Sequence, residues 1–260
     1  MGIWEKLLET YDTYCESGRV APVAHTRIIM HIGVVLDKES NVLVAAKGKQ
    51  SILAPCTIDS ECRTRNVAPH LLHDNVSYIV PGVDDKRHRA YLEQLGAYVS
   101  QVNDPLAQII YDYVKRETIA DDLKHLVDLA DRKNKGLVIG FGIRDIPETL
   151  DASIDTIWAD YYLSTLPING ICGITGQPDH IPGKYPGNIR HPSDMAKLFV
   201  GKDTDPLCSM PKIKAGYIAS QKIIHMLQAM HGGWVEQDEL PLTDCVLRVG
   251  DLAHEERAEL

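Results

Sequence analysis

The sequence has no excess of positive charge and no long hydrophobic segment. Its formal net charge is −9 at pH 7, with 27 Lys and Arg residues against 36 Asp and Glu residues. Dedicated nucleic-acid-binding domains are usually basic, because their affinity comes largely from neutralising phosphates. Any nucleic-acid contact must therefore come from a local basic cluster, unless the partner is a basic protein. No apolar run approaches the roughly 20 residues of a transmembrane helix, which argues against a membrane protein.

Targeting and metal-binding patterns are also missing. The first segment carries Glu5, Lys6 and Glu9 where a signal peptide needs an apolar run, so we expect a cytoplasmic protein. The six cysteines include no CxxC pair, and a chain of 260 residues can fold in a reducing cytosol without disulfides. A zinc site would draw on scattered ligands without zinc-finger spacing: Cys56, Cys62, Cys172, His180, His191 and Cys208. We predict no disulfide, no metal and no cofactor.

Local signatures of catalysis are absent. P-loop, GxSxG and HExxH patterns do not occur, and Gly140 and Gly142 lack a third glycine at dinucleotide-binding spacing. A cysteine hydrolase that uses Cys172 with His180 or His191 stays open, because a nucleophile and its base can be distant in sequence. Without a local signature, we predict that the protein is not an enzyme and has no catalytic residues.

Hydrophobic periodicity predicts an α+β fold. We expect a mixed or antiparallel sheet covered by several helices, together with a Pro/Gly-rich loop region and a C-terminal helix. The sheet is predicted from residues 27–80 and 136–175, and its covering helices from 86–133 and 149–163. The domain prediction is an N-terminal α+β domain, residues 1–205, with a C-terminal helix and acidic tail, 206–260, packed on it.

Three local secondary-structure predictions concern the segments that contain, or lie near, the polar residues described below. Residues 28–36 and 42–46 form a hairpin, with a further strand at 51–54. The apolar run 76–80 is predicted as a buried strand, and 118–133 as one helix.

The most informative stretch is residues 63–82, RTRNVAPHLLHDNVSYIVPG. Its basic head leads through Pro69 into apolar residues, and Asp74 and Asn75 stand where the chain enters the sheet. An Asx side chain at such a turn can bond its own backbone. The Asn75 amide can instead donate and accept at a base edge in a DNA groove. Both interpretations of Asn75 stay open.

A second polar segment, Lys47-Gly48-Lys49-Gln50, follows the predicted hairpin. It is interpreted either as a solvated turn or as a flexible basic finger that touches phosphates. The candidate DNA- and PAM-binding residues combine the two polar segments: Asn75, Lys47, Lys49, Gln50, Arg63 and Arg65.

The 63–82 stretch resembles the N-terminal signature of the large subunit of type I-C CRISPR Cascade complexes. That family carries the pattern basic-Arg-Thr-Ser-Gly-x-x-Pro-Asn-Phe-Leu-x-Asp-Asn-x-x-Tyr-x-Leu-Gly. His70 replaces the usual Asn, and Arg65-Asn66 replaces Ser-Gly. The matching positions are Arg63, Thr64, Pro69, Leu72, Asp74, Asn75, Tyr78 and Gly82. A second match, to the family's Cys-x-(Val/Ile)-Thr-Gly-(Glu/Gln), includes Cys172, Thr175 and Gly176.

The resemblance, which covers roughly residues 1–230, implies a subunit that does no cutting itself. It implies docking at the crRNA 5′ end against Cascade backbone subunits, contact with the PAM duplex and help in opening double-stranded target DNA. Members of that family run longer and end in a helical bundle, so a separate small subunit is a further expected partner. The alternative is a shortened acidic mimic that acts as an anti-CRISPR decoy. The cations of the polar segments favour the working subunit, because a decoy does not need them.

Overall fold

A computed structural model of the chain describes residues 2–143, 155–190, 196–199 and 213–231. The chain divides into two compact units, Ala21–Asn169 and a unit that combines Met1–Val20 with Gly170–Leu260. The predicted domain boundary between residues 205 and 206 lies outside the described residues, so that division stays a prediction. The α+β class is confirmed, because a mixed sheet is combined with helices, including one near the C-terminus.

A four-stranded sheet forms the centre of the unit Ala21–Asn169. β1 pairs antiparallel with β2 and parallel with β4, and β3 pairs antiparallel with β4. The spatial order is β2-β1-β4-β3, so β2 and β3 are the two edge strands. The strand bounds are β1 (His25–Leu36), β2 (Val42–Pro55), β3 (Asp74–Asn75) and β4 (Val138–Ile143).

Acidic side chains cap two helices of this unit, α4 (Asp85–Gln101) and α5 (Pro105–Val114). Asp84 accepts a hydrogen bond from the Arg87 amide at the start of α4, and Asp104 accepts two at the start of α5, as capping residues do. The bounds are α2 (Ile58–Glu61), α3 (Val76–Ile79), α4 (Asp85–Gln101), α5 (Pro105–Val114), α6 (Ile119–Asp122), a 3-10 turn (Arg132–Asn134) and α7 (Asp155–Thr165).

Aromatic side chains join these helices to the sheet. The Tyr113 ring of α5 meets the Phe141 ring of β4 edge-on, with centroids 5.9 Å apart. Trp158 of α7 is buried and donates from Nε1 to the Ala24 carbonyl oxygen at 3.0 Å. Buried aromatic pairs of this geometry contribute about 0.5–1.5 kcal/mol beyond their area.

The second unit pairs the first helix with the last described one. α1 (Ile3–Glu16) packs against α8 (Tyr217–Met230), and Lys222 Nζ lies 2.7 Å from Asp12 Oδ1. β5 (Gly170–Ile171) and β6 (Pro178–Asp179) form a separate two-stranded sheet. The strand residues predicted near 170 therefore do not join the main sheet.

Two predicted elements near the site are wrong. The run 76–80, predicted as a strand, forms the helical turn α3, in which the Val80 amide donates to the Val76 carbonyl oxygen at 2.9 Å. A short apolar run has the same hydrophobicity in a buried strand and a buried helix, so periodicity does not separate them. The helix predicted over 118–133 is helical only at Ile119–Asp122 and again, as a 3-10 turn, at Arg132–Asn134.

The segment Lys47–Gln50 is neither a turn nor a finger. It lies inside β2, which runs unbroken from Val42 to Pro55. Met30 pairs with Gln50 and Ile32 pairs with Lys47, so β2 carries one extra residue at this point, a β-bulge. Gly48 is absorbed by this bulge, and a separate strand at 51–54 is not formed.

Candidate nucleic-acid interface

Asp74 is the centre of the 63–82 stretch. Its side chain is fully buried and receives both terminal nitrogens of Arg63, with Nη1–Oδ2 at 2.7 Å and Nη2–Oδ1 at 2.5 Å. The backbone amides of His70 (2.8 Å) and Asn75 (2.6 Å) donate to the same carboxylate. Four donors on two oxygens replace the water that a buried carboxylate loses. Asp74 therefore closes the loop between Arg63 and the sheet.

The Arg63 side chain makes several contacts within this loop. Besides Asp74, its Nη1 donates to the Ala68 carbonyl oxygen at 3.0 Å, and its guanidinium carbon lies 4.7 Å from the centroid of the Tyr78 ring. Burial alone would lower the pKa of Arg63, but its hydrogen bond to Asp74 outweighs this and raises that pKa. A phosphate contact by Arg63 stays a prediction, and its two terminal nitrogens are already engaged within the chain.

Three other motif residues build the walls of the same loop. Tyr78 is buried and accepts a hydrogen bond from the Ala68 amide through its hydroxyl oxygen at 3.2 Å. Leu72 is fully buried, and its carbonyl oxygen accepts from the Tyr91 hydroxyl at 2.8 Å. Pro69 is buried as well. These positions shape and hold the loop and are not placed to touch a ligand.

Gly82 ends the stretch for a conformational reason. Its φ of +75° lies in the left-handed region, which glycine adopts without steric cost.

Two histidines in the loop are kept neutral by burial. Desolvation lowers the pKa of both His70 and His73 to about 4, and the nearby charge of Arg63 lowers that of His70 further. His73 Nδ1 accepts a hydrogen bond from the Phe141 amide at 3.1 Å. This side chain therefore extends the pairing of β4 beyond the two residues of β3.

The side chains of Asn75 and Asp74 differ, because only that of Asp74 takes part in hydrogen bonds found within the described ranges. Asn75 pairs with Val138 at the edge of the sheet and precedes α3 at the N-cap position, with no side-chain hydrogen bond to the helix. No other hydrogen bond of its amide is found within the described ranges, and the residue is half-exposed. The Asx-turn interpretation is therefore not what the side chain does here; the adjacent Asp74 makes those bonds.

The predicted lysines lie across the sheet from Asn75. Lys47 pairs with Ile32, Ile32 with Ile139, and Ile139 with Asp74, so one row crosses all four strands. With strands about 4.8 Å apart, three spacings separate Lys47 from Asp74 by about 14 Å. Lys47, Lys49 and Gln50 are exposed on the β2 edge, and Arg65 is exposed on the loop before Pro69.

The second motif lies in the other unit and is built around Cys172. This thiol is buried, and its Sγ accepts from the amides of Gly216 (3.1 Å) and Thr175 (3.5 Å). Burial would raise the pKa of Cys172, but hydrogen bonds from the Thr175 hydroxyl and from surrounding amides lower it instead. Gly176 follows with φ of +69°. The motif thus joins the β5–β6 hairpin to the start of α8.

Sequence reasoning missed one group of cations. Arg132 and Lys133 fall inside the helix predicted over 118–133, and Lys135 follows it, but the structure places Arg132 and Lys133 in a 3-10 turn with Lys135 directly after it. The Ser77 amide donates to the Lys135 carbonyl oxygen at 3.1 Å, which places this turn against α3. The strand predicted within residues 136–175 could have indicated this position. The residues that directly precede a strand lie near the strand that pairs with it.

The fold and these contacts define an α+β protein with a buried Arg–Asp pair at its sheet edge and exposed amide and basic side chains around it. The chain belongs to the family described as CRISPR-associated protein (Cas_Csd1), whose model matches residues 7–220. It is therefore a CRISPR-associated protein of the Cascade type. No match to the chain was found among curated proteins. Over the described residues, no helix combines the length and apolarity needed to span a membrane.

Proposed function

We propose that this protein is the large subunit of a type I-C-like Cascade complex and that it contacts the PAM duplex through Asn75. Family membership supports the role in a Cascade-type complex. The observation that carries the contact is the Asn75 amide, which is half-exposed and makes no hydrogen bond within the described residues while Asp74 beside it makes four. An amide without internal partners can offer its donors and its acceptor to a base edge.

The spacing of the polar residues suits a duplex. The separation of about 14 Å between Lys47 and the Asp74 position is similar to the major-groove width of about 12 Å. With Asn75 on a base edge, Lys47, Lys49, Gln50 and Arg65 are proposed on sugar or phosphate. Phosphate contacts position a protein without reporting sequence. Base reading is therefore assigned to Asn75 alone.

The acidic charge is compatible with this role in an assembly. A guide-directed complex delegates most sequence reading to base pairing, so its protein needs only a short contact patch. We propose that the protein docks at the crRNA 5′ end against the backbone subunits, with a separate small subunit as a further partner. It is proposed to act without catalysis, in the cytoplasm, and cleavage belongs to a separately recruited enzyme.

The test is PAM-resolved binding by the assembled complex containing Asn75→Ala. We expect discrimination between target duplexes that differ only in the PAM to fall by about 1–3 kcal/mol, the usual contribution of a good base contact. The thermal midpoint of the subunit should hardly change, because the amide stabilises nothing in the described structure. Asn41→Ala is the matched control, since its amide bonds Asp37 in the β1–β2 turn.

A lower melting temperature with unchanged PAM preference would return Asn75 to a structural role. The inhibitory-mimic alternative receives no support from the family match. The same assay addresses it, because a mimic would occupy the complex and abolish target binding by every variant and by the natural sequence.

A further inference from the structure

The turn that contains Arg132, Lys133 and Lys135, called here the basic turn, is held at the same sheet edge as Asn75. The Val76 amide donates to the Leu137 carbonyl oxygen at 2.8 Å, directly after the Asn75–Val138 pair. The next amide, that of Ser77, donates to the Lys135 carbonyl oxygen at 3.1 Å. Continuous backbone bonding therefore ties the basic turn to the residues that follow Asn75.

The backbone of the basic turn is held by internal hydrogen bonds. Asn134 donates through Nδ2 to the Asp128 carbonyl oxygen at 2.7 Å, and its amide bonds the Asp131 carbonyl oxygen at 2.9 Å. The Leu137 amide bonds the Asn134 carbonyl oxygen at 2.9 Å. Binding to such a preorganised turn does not have to order its backbone, so the entropic cost of binding is smaller.

The charges of the basic turn are available. Arg132, Lys133 and Lys135 are exposed, and no ion pair of their side chains is found among the residues that the structure describes. The neighbouring acids are directed into the turn, because Asp131 Oδ1 accepts from the Lys133 amide at 2.9 Å and Asp128 Oδ1 from the Ala130 amide at 3.0 Å. The three cations thus exceed the two carboxylates by one charge.

A fourth cation, Arg87, contacts Ser77, the residue whose amide is bound to the basic turn. Arg87 of α4 donates through Nη1 to the Ser77 hydroxyl at 3.2 Å, and the Ser77 amide is the one bound to Lys135. Arg87 is partly neutralised by Asp84, at 3.5 Å. Arg87 is therefore a further cation in contact with the segment that follows Asn75, whereas Lys47 lies about 14 Å from the Asp74 position across the sheet.

We propose that the basic turn binds backbone phosphates of the duplex whose base edge Asn75 reads. This inference rests on the proposed function and names the phosphate contacts of the same site. It moves the main phosphate contacts from the β2 edge to the residues beside Asn75. Lysine and arginine side chains of this turn would contact phosphates that flank the base pair read by Asn75, because base reading and backbone positioning then come from one sheet edge.

The experiment compares two triple variants in the assembled crRNA-bound complex. One carries Arg132→Gln, Lys133→Gln and Lys135→Gln. The control carries Lys38→Gln, Lys115→Gln and Lys124→Gln, three exposed lysines of the same unit with the same total charge change. Binding of target duplexes is measured over a series of salt concentrations. Removing one phosphate interaction lowers the slope of log K against log salt by about 0.9.

We expect the basic-turn variant to lower this slope by about 2–3 and to bind every PAM duplex more weakly by the same factor. The control variant should keep the natural slope, and a charge-conserving Lys133→Arg, Lys135→Arg variant should keep it too. An unchanged slope in the basic-turn variant, at an unchanged melting temperature, would overturn the inference. Loss of bound crRNA from the complex before DNA is added would overturn it as well, by assigning the phosphates to the guide.

Failure here is distinguishable from failure of the proposed function. If Asn75→Ala alters PAM preference while the basic-turn slope is unchanged, the proposed function stands and this inference is wrong. If neither variant has an effect, both are wrong.

Discussion

At the scale of single residues, two arginines of one motif have different surroundings although they are two positions apart. Arg63 gives both terminal nitrogens to the buried Asp74, and Arg65 is exposed with no bond of its side chain found in the described part of the chain. From the sequence alone, the two arginines are equal candidates for a phosphate contact. Burial separates them, because two terminal nitrogens of Arg63 are already engaged by a buried carboxylate, whereas Arg65 is exposed to solvent.

We therefore predict a large loss of stability for one alanine variant and almost none for the other. Arg63→Ala leaves the Asp74 carboxylate buried without its charge partner, and we expect a loss of about 3–5 kcal/mol of unfolding free energy. Arg65→Ala should change stability by less than about 0.5 kcal/mol, as surface substitutions do. Chemical denaturation of both isolated variants measures the difference.

One result would contradict the predicted difference in stability. Equal, small stability changes for Arg63→Ala and Arg65→Ala would mean that the Arg63–Asp74 pair does not hold the loop. Arg63→Lys is a further comparison, because a lysine keeps the charge but not the two parallel hydrogen bonds.

At the scale of elements, the start of α5 is fixed by Asp104. Its Oδ1 accepts from the amides of Leu106 and Ala107, at 3.0 and 3.1 Å, and its Oδ2 accepts from the Tyr98 hydroxyl at 2.8 Å. The carboxylate thus caps one helix and bonds the side chain of another. Both helices depend on it, since the Tyr98 hydroxyl would otherwise be left without this partner in a largely apolar setting.

Asp104→Ala should lower the free energy of unfolding by about 2–3 kcal/mol. Loss of a helix cap costs about 1 kcal/mol, and an unsatisfied buried hydroxyl adds about 1–2 kcal/mol. Asp104→Asn should recover most of this, because an amide oxygen also caps helices. Thermal and urea unfolding of the two variants give the comparison, with Asp121→Ala on the exposed face of α6 as the control. A loss no larger than that of Asp121→Ala would contradict this role for Asp104.

Sequence patterns predicted the elements that have long amphipathic repeats and missed those set by tertiary contacts. The hairpin of β1 and β2, the helix opened by Pro105 and the α+β class follow from periodicity and turn chemistry. Val76–Ile79 was predicted as a strand because a short apolar run without alternation does not distinguish a buried strand from a buried helix, and the structure buries all four residues in a helical turn. The site was only partly predictable, because the Lys135 carbonyl oxygen accepts from the amide of Ser77, two residues after Asn75, and these bonded residues are 58 positions apart.

At the scale of the whole molecule, the net charge of −9 opposes binding to free DNA. The cations proposed to contact phosphates lie near two edges of one sheet, and across the whole chain acidic residues outnumber basic ones. Affinity for a duplex should therefore depend on the guide and the backbone subunits, which supply most of the binding energy in guide-directed complexes. On the proposed function, the isolated protein would make only a few phosphate contacts.

We predict that the protein co-purifies with a type I-C-like crRNA-bound backbone and that the isolated chain has little affinity for duplex DNA. Pull-down from cells that express backbone and crRNA, followed by binding of the isolated chain to labelled duplex, measures both. Expression without crRNA is the control. Tight, salt-sensitive binding of duplex by the isolated chain would contradict the prediction, because it would show that the local basic clusters suffice.

The pairing of α1 with α8 has a consequence for synthesis. About 200 residues separate the end of α1 from the start of α8, and translation adds about 5–20 residues per second. The N-terminal helix therefore leaves the ribosome about 10–40 seconds before its partner does. During this interval the side chains of Leu7, Tyr11 and Tyr14, which are buried in the finished fold, face solvent or a chaperone. α1 is thus made well before it can complete its contacts with α8.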